Sequence, residues 1–111
     1  MTKARYLTAD AASFGRVLQR LRMTEGWTIV ELARRSGFNK NHLRLLELGQ
    51  NMPSLTILFA LAEVFRVDAA EIVREVELER RGRKARRAAT MLAAAGLSTP
   101  EGRGAEEEAT G

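Results

Sequence analysis

The chain has 111 residues, one His, no Cys and a formal net charge of +4, a length that fits one compact domain with a 45% hydrophobic content sufficient for a core. Without Cys there is no disulfide, no thiolate nucleophile and no thiolate zinc site, and His42 alone cannot assemble a histidine metal cluster, so neither metal nor cofactor is expected. No glycine loop for phosphate and no nucleophile-base set is present, which argues against an enzyme.

The first twelve residues, MTKARYLTADAA, lack the apolar run of a signal peptide, and no later stretch approaches the roughly 20 apolar residues of a membrane span. The expectation is a soluble, cytoplasmic protein without a membrane partner. A pI near 10.3 favours an anionic partner. The charge is uneven: residues 1–78 carry +2, residues 79–90 carry +5 and residues 91–111 carry −3.

Residues 1–12 show little pattern and are expected to be loose, with Asp10 or Ser13 capping the first helix. From Ser13 to about Glu25, Phe14, Val17, Leu18 and Leu21 recur at i, i+3, i+4 and i+7, the apolar stripe of an amphipathic helix closed by Gly26. Trp27 is expected to pack against the core. Thr28 with Glu31 three residues later has the spacing of a capping box, in which each side chain satisfies the other residue's amide. The second helix turns Leu32 and Ala33 inward and ends at Gly37, where a missing side chain permits a left-handed turn. Arg34 and Arg35 near its end complement the negative pole of the helix.

Asn39 caps a third helix, Lys40 to about Leu48, with Leu43 and Leu46 as its buried pair and Gly49 as its stop. Lys40, Asn41, Arg44 and Leu45 are left pointing outward. After the loop Gln50–Pro53, Ser54 caps a fourth helix with the stripe Leu55, Leu58, Leu61, Ala62 and Phe65. Asp68 caps a fifth, with Ile72, Val73 and Val76 inward and Glu71 near the positive end of the dipole. No strand-like alternation occurs, so the domain is expected to be all-α.

Beyond Val76, ELERRGRKARRAATMLAAAGL favours helix, with Gly82 as a candidate break. Arg80, Arg81, Arg83, Lys84, Arg86 and Arg87 make it a candidate basic arm for an anionic partner. From Ser98 the acidic, Gly- and Pro-containing tail is expected to be disordered. The expected organisation is thus a loose segment at 1–12, a domain at 13–78, a basic helical extension at 79–97 and a tail at 98–111.

Gly15, Leu18 and Leu21-Arg22 in the first helix, then Leu32-Ala33, Gly37, Glu47-x-Gly49, Pro53-Ser54-Leu55 and Leu61-Ala62 with Phe65-x-Val67, form an ordered set. In that order and spacing the sequence resembles the Xre/Cro phage-repressor type of helix-turn-helix DNA-binding domain, over about Phe14 to Val73. The resemblance implies a compact five-helix fold whose third helix lies in the major groove of double-stranded DNA. It further implies a bacterial transcription regulator, usually a repressor, that works on the nucleoid as a homodimer.

Carried over residue by residue, the resemblance makes Lys40, Asn41, Arg44 and Leu45 base-facing, and Thr28, Asn39, Gln50 and Asn51 phosphate-facing. It also pairs Arg22 with Glu47 as scaffold. Two positions depart from the family pattern: Ile29 stands where many relatives carry a phosphate-gripping Gln, and Leu45 where relatives often carry a polar reader. The alternative reading is a protein-interaction module of the same fold, antitoxin-like or coactivator-like, meeting a protein partner through Ile29 and Leu45 or through the basic arm.

Overall fold

A computed structural model describes residues 2–96, with side chains from Ala9 onward, and all regular structure among them is helical. The elements are α1 (Thr2–Thr24), α2 (Ile29–Ser36), α3 (Lys40–Glu47), α4 (Leu55–Phe65) and α5 (Ala69–Ala94). Contacts within the chain divide it after Arg80 into two units, of which the first holds the hydrophobic core. The tail expected to be disordered, 98–111, lies outside the described residues.

The spacing that defines each helix also defines its buried side. Phe14, Val17 and Leu18 of α1 meet Leu32 of α2, Leu43 and Leu46 of α3, Leu58, Leu61, Ala62 and Phe65 of α4, and Ile72 of α5 in one buried cluster. Burying such a side chain contributes about 1.5–3 kcal/mol before chain entropy is counted. Leu21, Trp27, Ile29, Ala33 and Phe38 pack against the cluster from its edge.

Short helices of this kind need their ends satisfied, because a large share of their amides has no partner within the helix. Thr28 Oγ1 accepts from the Glu31 amide at 3.1 Å and Ser54 Oγ from the Ile57 amide at 3.1 Å. Only the Thr28 half of the capping box forms: the Glu31 carboxylate turns to Arg34 and Arg35 instead, at 2.6 and 2.8 Å. At α5 the Glu71 and Ile72 amides donate to the Asp68 carbonyl.

Several expectations are corrected. Residues 2–12 are helical rather than loose, because α1 starts at Thr2. Ser13 and Asp10 therefore cap nothing: the Ser13 hydroxyl donates to the Ala9 carbonyl at 3.2 Å, and Asp10 is paired with Arg80 at 3.1 Å. Leu55, placed on the apolar stripe of α4, is 67% exposed, since as the first residue of the helix it overhangs the core. Val73 is likewise exposed, while Ile72 is buried and Val76 packs half-buried against the core. Gly82 does not break α5, which continues to Ala94.

Candidate nucleic-acid interface

The α2–α3 connection is short because Gly37 takes φ 78°, a left-handed turn, while its amide donates to the Ala33 carbonyl at 2.8 Å. The Phe38 amide donates to Ser36 Oγ at 3.2 Å, and its ring packs against the core. Asn39 Oδ1 then accepts from the amides of Asn41 at 2.7 Å and His42 at 3.3 Å, fixing the start of α3.

On the helix that follows, Leu43 and Leu46 are fully buried, whereas Lys40, Asn41, Arg44 and Leu45 are exposed. At about 100° per residue those four side chains share an arc of about 140° opposite the buried pair. The sequence thus writes a polar face onto a helix whose other face the core holds. Leu45 is the marginal member at 36% exposure.

Lys40 sits against the local rule. A cation in the first turn faces the positive end of the helix dipole, a penalty of about 0.3–1 kcal/mol, and no acidic residue occupies that turn to offset it. Lys40 is exposed and has no carboxylate partner among the described residues, so nothing in the fold offsets that cost. Arg44, one turn later, is in the same position of having no partner there.

The back of α3 is fixed by α1. A Cβ at Gly15 would lie 2.5 Å from the Glu47 carbonyl oxygen and 2.6 Å from that of Leu46, so the two backbones touch where only glycine allows. Gly49 repeats the arrangement: its φ is 76°, and a Cβ there would lie 2.8 Å from the Ala12 Cα. Beside these contacts Arg22 donates to Glu47 through Nε at 2.6 Å and Nη2 at 3.1 Å, and through Nη1 to the Trp27 carbonyl at 2.7 Å. The Glu47 hydrogen bond raises the Arg22 guanidinium further above its already high value, against the opposing effect of burial, so the guanidinium stays charged. One arginine therefore ties α1, the end of α3 and the entry to α2.

The remaining expected positions fall as follows. Thr28 and Asn39 are exposed at the starts of α2 and α3, and although their oxygens serve as caps, the Asn39 amide group stays available to donate. Gln50 and Asn51 are exposed in the loop after α3. Ile29 is half-buried against the edge of the core, and Leu45 and Val30 are exposed. Arg35 stands over the Trp27 ring at 4.4 Å, while Phe65 stacks on the same ring at 5.5 Å. Arg34 and Arg35 thus hold Glu31 and Trp27 rather than merely the pole of α2. Sequence spacing did not reveal the Gly15 approach, because a glycine within a helix reads only as a weak helix former.

Comparison with known proteins agrees with this geometry. The helix-turn-helix domain family matches residues 13–74. An uncharacterised helix-turn-helix type transcriptional regulator of Sinorhizobium fredii, y4dJ, is 39% identical over 54 residues, covering 49% of this chain and 70% of the relative. The crystal structure of the restriction-modification controller protein C.AhdI from Aeromonas hydrophila is similar at 31% identity and a TM-score of 0.55, over 58% of this chain and 97% of that one. The clp gene regulator ClgR from Corynebacterium glutamicum shares the fold at a TM-score of 0.71 and 23% identity, over 78% of this chain and 93% of that one. With five helices among the described residues, a buried Leu43–Leu46 pair and an outward polar face on α3, the chain belongs to the Xre-like helix-turn-helix family of DNA-binding transcriptional regulators, a family of regulators rather than enzymes.

Proposed function

We propose that the protein reads double-stranded DNA in the major groove with α3, and that the observation carrying this reading is the exposed face of Lys40, Asn41, Arg44 and Leu45. An α-helix fits that groove. Lys and Arg can donate to guanine O6 and N7, Asn can pair with adenine N6 and N7, and Leu45 can touch a thymine methyl. Thr28, Asn39, Gln50 and Asn51 contact phosphates and set the register without reading sequence.

Eight helical residues span about 12 Å, too little to select one site in a genome, so two copies reading half-sites about one turn apart are part of the proposal. Met52, Leu55 and Val73, exposed around an apolar groove between α4 and α5, are the surface a second copy would cover. Occupying a promoter in this way represses transcription in the cytoplasm, on the nucleoid.

Selection of bound duplexes from a random pool, followed by titration of Lys40→Ala with Arg44→Ala, tests the reading. Each lost bidentate contact weakens discrimination by about 1–3 kcal/mol. A double variant with wild-type affinity and wild-type sequence preference would rule out the groove assignment.

A further inference from the structure

The cations of the first unit are largely engaged with its own carboxylates. Arg16 and Arg20 pair with Glu79, Arg22 with Glu47, Arg34 and Arg35 with Glu31, and Arg80 with Asp10. Lys40 and Arg44 are then the cations of the α2–α3 pair that face no carboxylate among the described residues. The other positions proposed there, Thr28, Asn39, Gln50 and Asn51, are uncharged. Each phosphate neutralised on a duplex contributes about −0.9 to the slope of log affinity against log salt, so these two cations supply only about −1.8.

The second unit is built oppositely. Among its described residues, Arg81 to Gly96, the sequence has no acidic residue. Arg83, Lys84 and Arg87 follow the i, i+1, i+4 spacing that gathers side chains on one face of α5, and none has a carboxylate partner among the described residues. Arg83 to Arg87 rises about 6 Å, comparable to the axial distance covered by two phosphates of one strand at about 3.4 Å each. The other side carries Ala85, Ala89 and the single Leu92, less apolar surface than a membrane-surface helix presents.

We infer that Arg83, Lys84 and Arg87 form a sequence-independent phosphate-binding arm that supplies most of the electrostatic affinity for double-stranded DNA, while α3 supplies the discrimination. The inference rests on the major-groove reading, and the two are separable. The full-length chain is titrated with a selected duplex and a random duplex of equal length across about 50–200 mM salt, as wild type, as Arg83→Gln/Lys84→Gln/Arg87→Gln, and as Arg83→Lys/Arg87→Lys.

In the Gln variant the salt slope falls by about 2.7 for both duplexes. Over that salt range this is about 40-fold less loss of affinity, and the ratio between the duplexes is unchanged. The Lys variant, which keeps the charge, retains the wild-type slope. An unchanged slope in the Gln variant, or no binding of wild type to either duplex, overturns the arm. A wild type that binds both duplexes equally, with the slope still lowered by the Gln variant, overturns the groove reading and leaves the arm standing.

Discussion

Gly15→Ala sets two effects of opposite sign against each other. In an isolated helix the substitution stabilises by about 0.5–1 kcal/mol, because alanine loses less backbone freedom on folding. Here the new Cβ would lie 2.5 Å from the Glu47 carbonyl oxygen and 2.6 Å from that of Leu46, both backbone atoms. An ordinary carbon–oxygen contact is about 3.3 Å, so α1 and α3 must separate by about 0.8 Å.

Neither oxygen can swing aside as a side chain would, and the Leu46 carbonyl already accepts from the amide of Gly49 at 3.1 Å. Overpacking of this kind costs about 1–3 kcal/mol, which outweighs the propensity gain. The net expectation is a loss of about 1–2 kcal/mol, or roughly 4–16 °C in Tm for a domain of this size, read by thermal unfolding in circular dichroism. The shift also displaces α3 from its mount, so DNA affinity falls further than the folded fraction accounts for. A variant as stable as wild type, or more stable, would refute the account of α1 as a backbone-to-backbone clamp.

Three further outcomes follow from named contacts. Arg22→Met leaves Glu47 nearly buried without its donor and costs about 1.5–3 kcal/mol, while adding Glu47→Leu recovers part of the loss; urea unfolding of the two single variants and the double variant reads the coupling. Arg66 holds φ 60°, the one left-handed non-glycine residue among those described, so Arg66→Gly is expected to raise Tm by a few degrees, the relief of about 1–2 kcal/mol exceeding the entropy cost of glycine. Arg34 first, and then Arg35, hold the Glu31 carboxyl below its ordinary value of 4.5 despite opposing desolvation. A depressed folded value means that this stabilisation is present above pH about 4.5 and is lost as pH falls through the lower folded value; the stability difference between wild type and Glu31→Gln should therefore vanish on acidification below that range.

The helices that form around a strong apolar period were legible because burial and period are the same fact: Val17, Leu18, Leu43, Leu46 and Leu61 are inside as their spacing requires. Caps at Thr28, Asn39 and Ser54 were legible because their amides lie two or three residues away in the chain. What the pattern could not carry was contact across long separation. Asp10 reads as a cap until Arg80, distant in sequence, takes its carboxylate, and Leu55 reads as core because periodicity does not say where a helix runs past its neighbours. Arg35 over Trp27 belongs to the same class: either residue alone suggests only a surface charge or a packed ring.

The face of α3 proposed to read DNA is defined by subtraction as much as by addition. Gly15, Gly49 and the Arg22–Glu47 pair fix the far end of the helix through backbone contact and a largely enclosed ion pair, and Leu43 and Leu46 fix its inner side. None of these groups depends on Lys40, Asn41, Arg44 or Leu45. Substitution at those four positions can therefore alter what is read with little effect on folding, whereas the supporting residues are constrained by carbonyl oxygens and a carboxylate that cannot move. Because the surrounding arginines are engaged by carboxylates, the charge that remains on α3 is sparse and positioned, which suits discrimination between base pairs better than bulk attraction to phosphate.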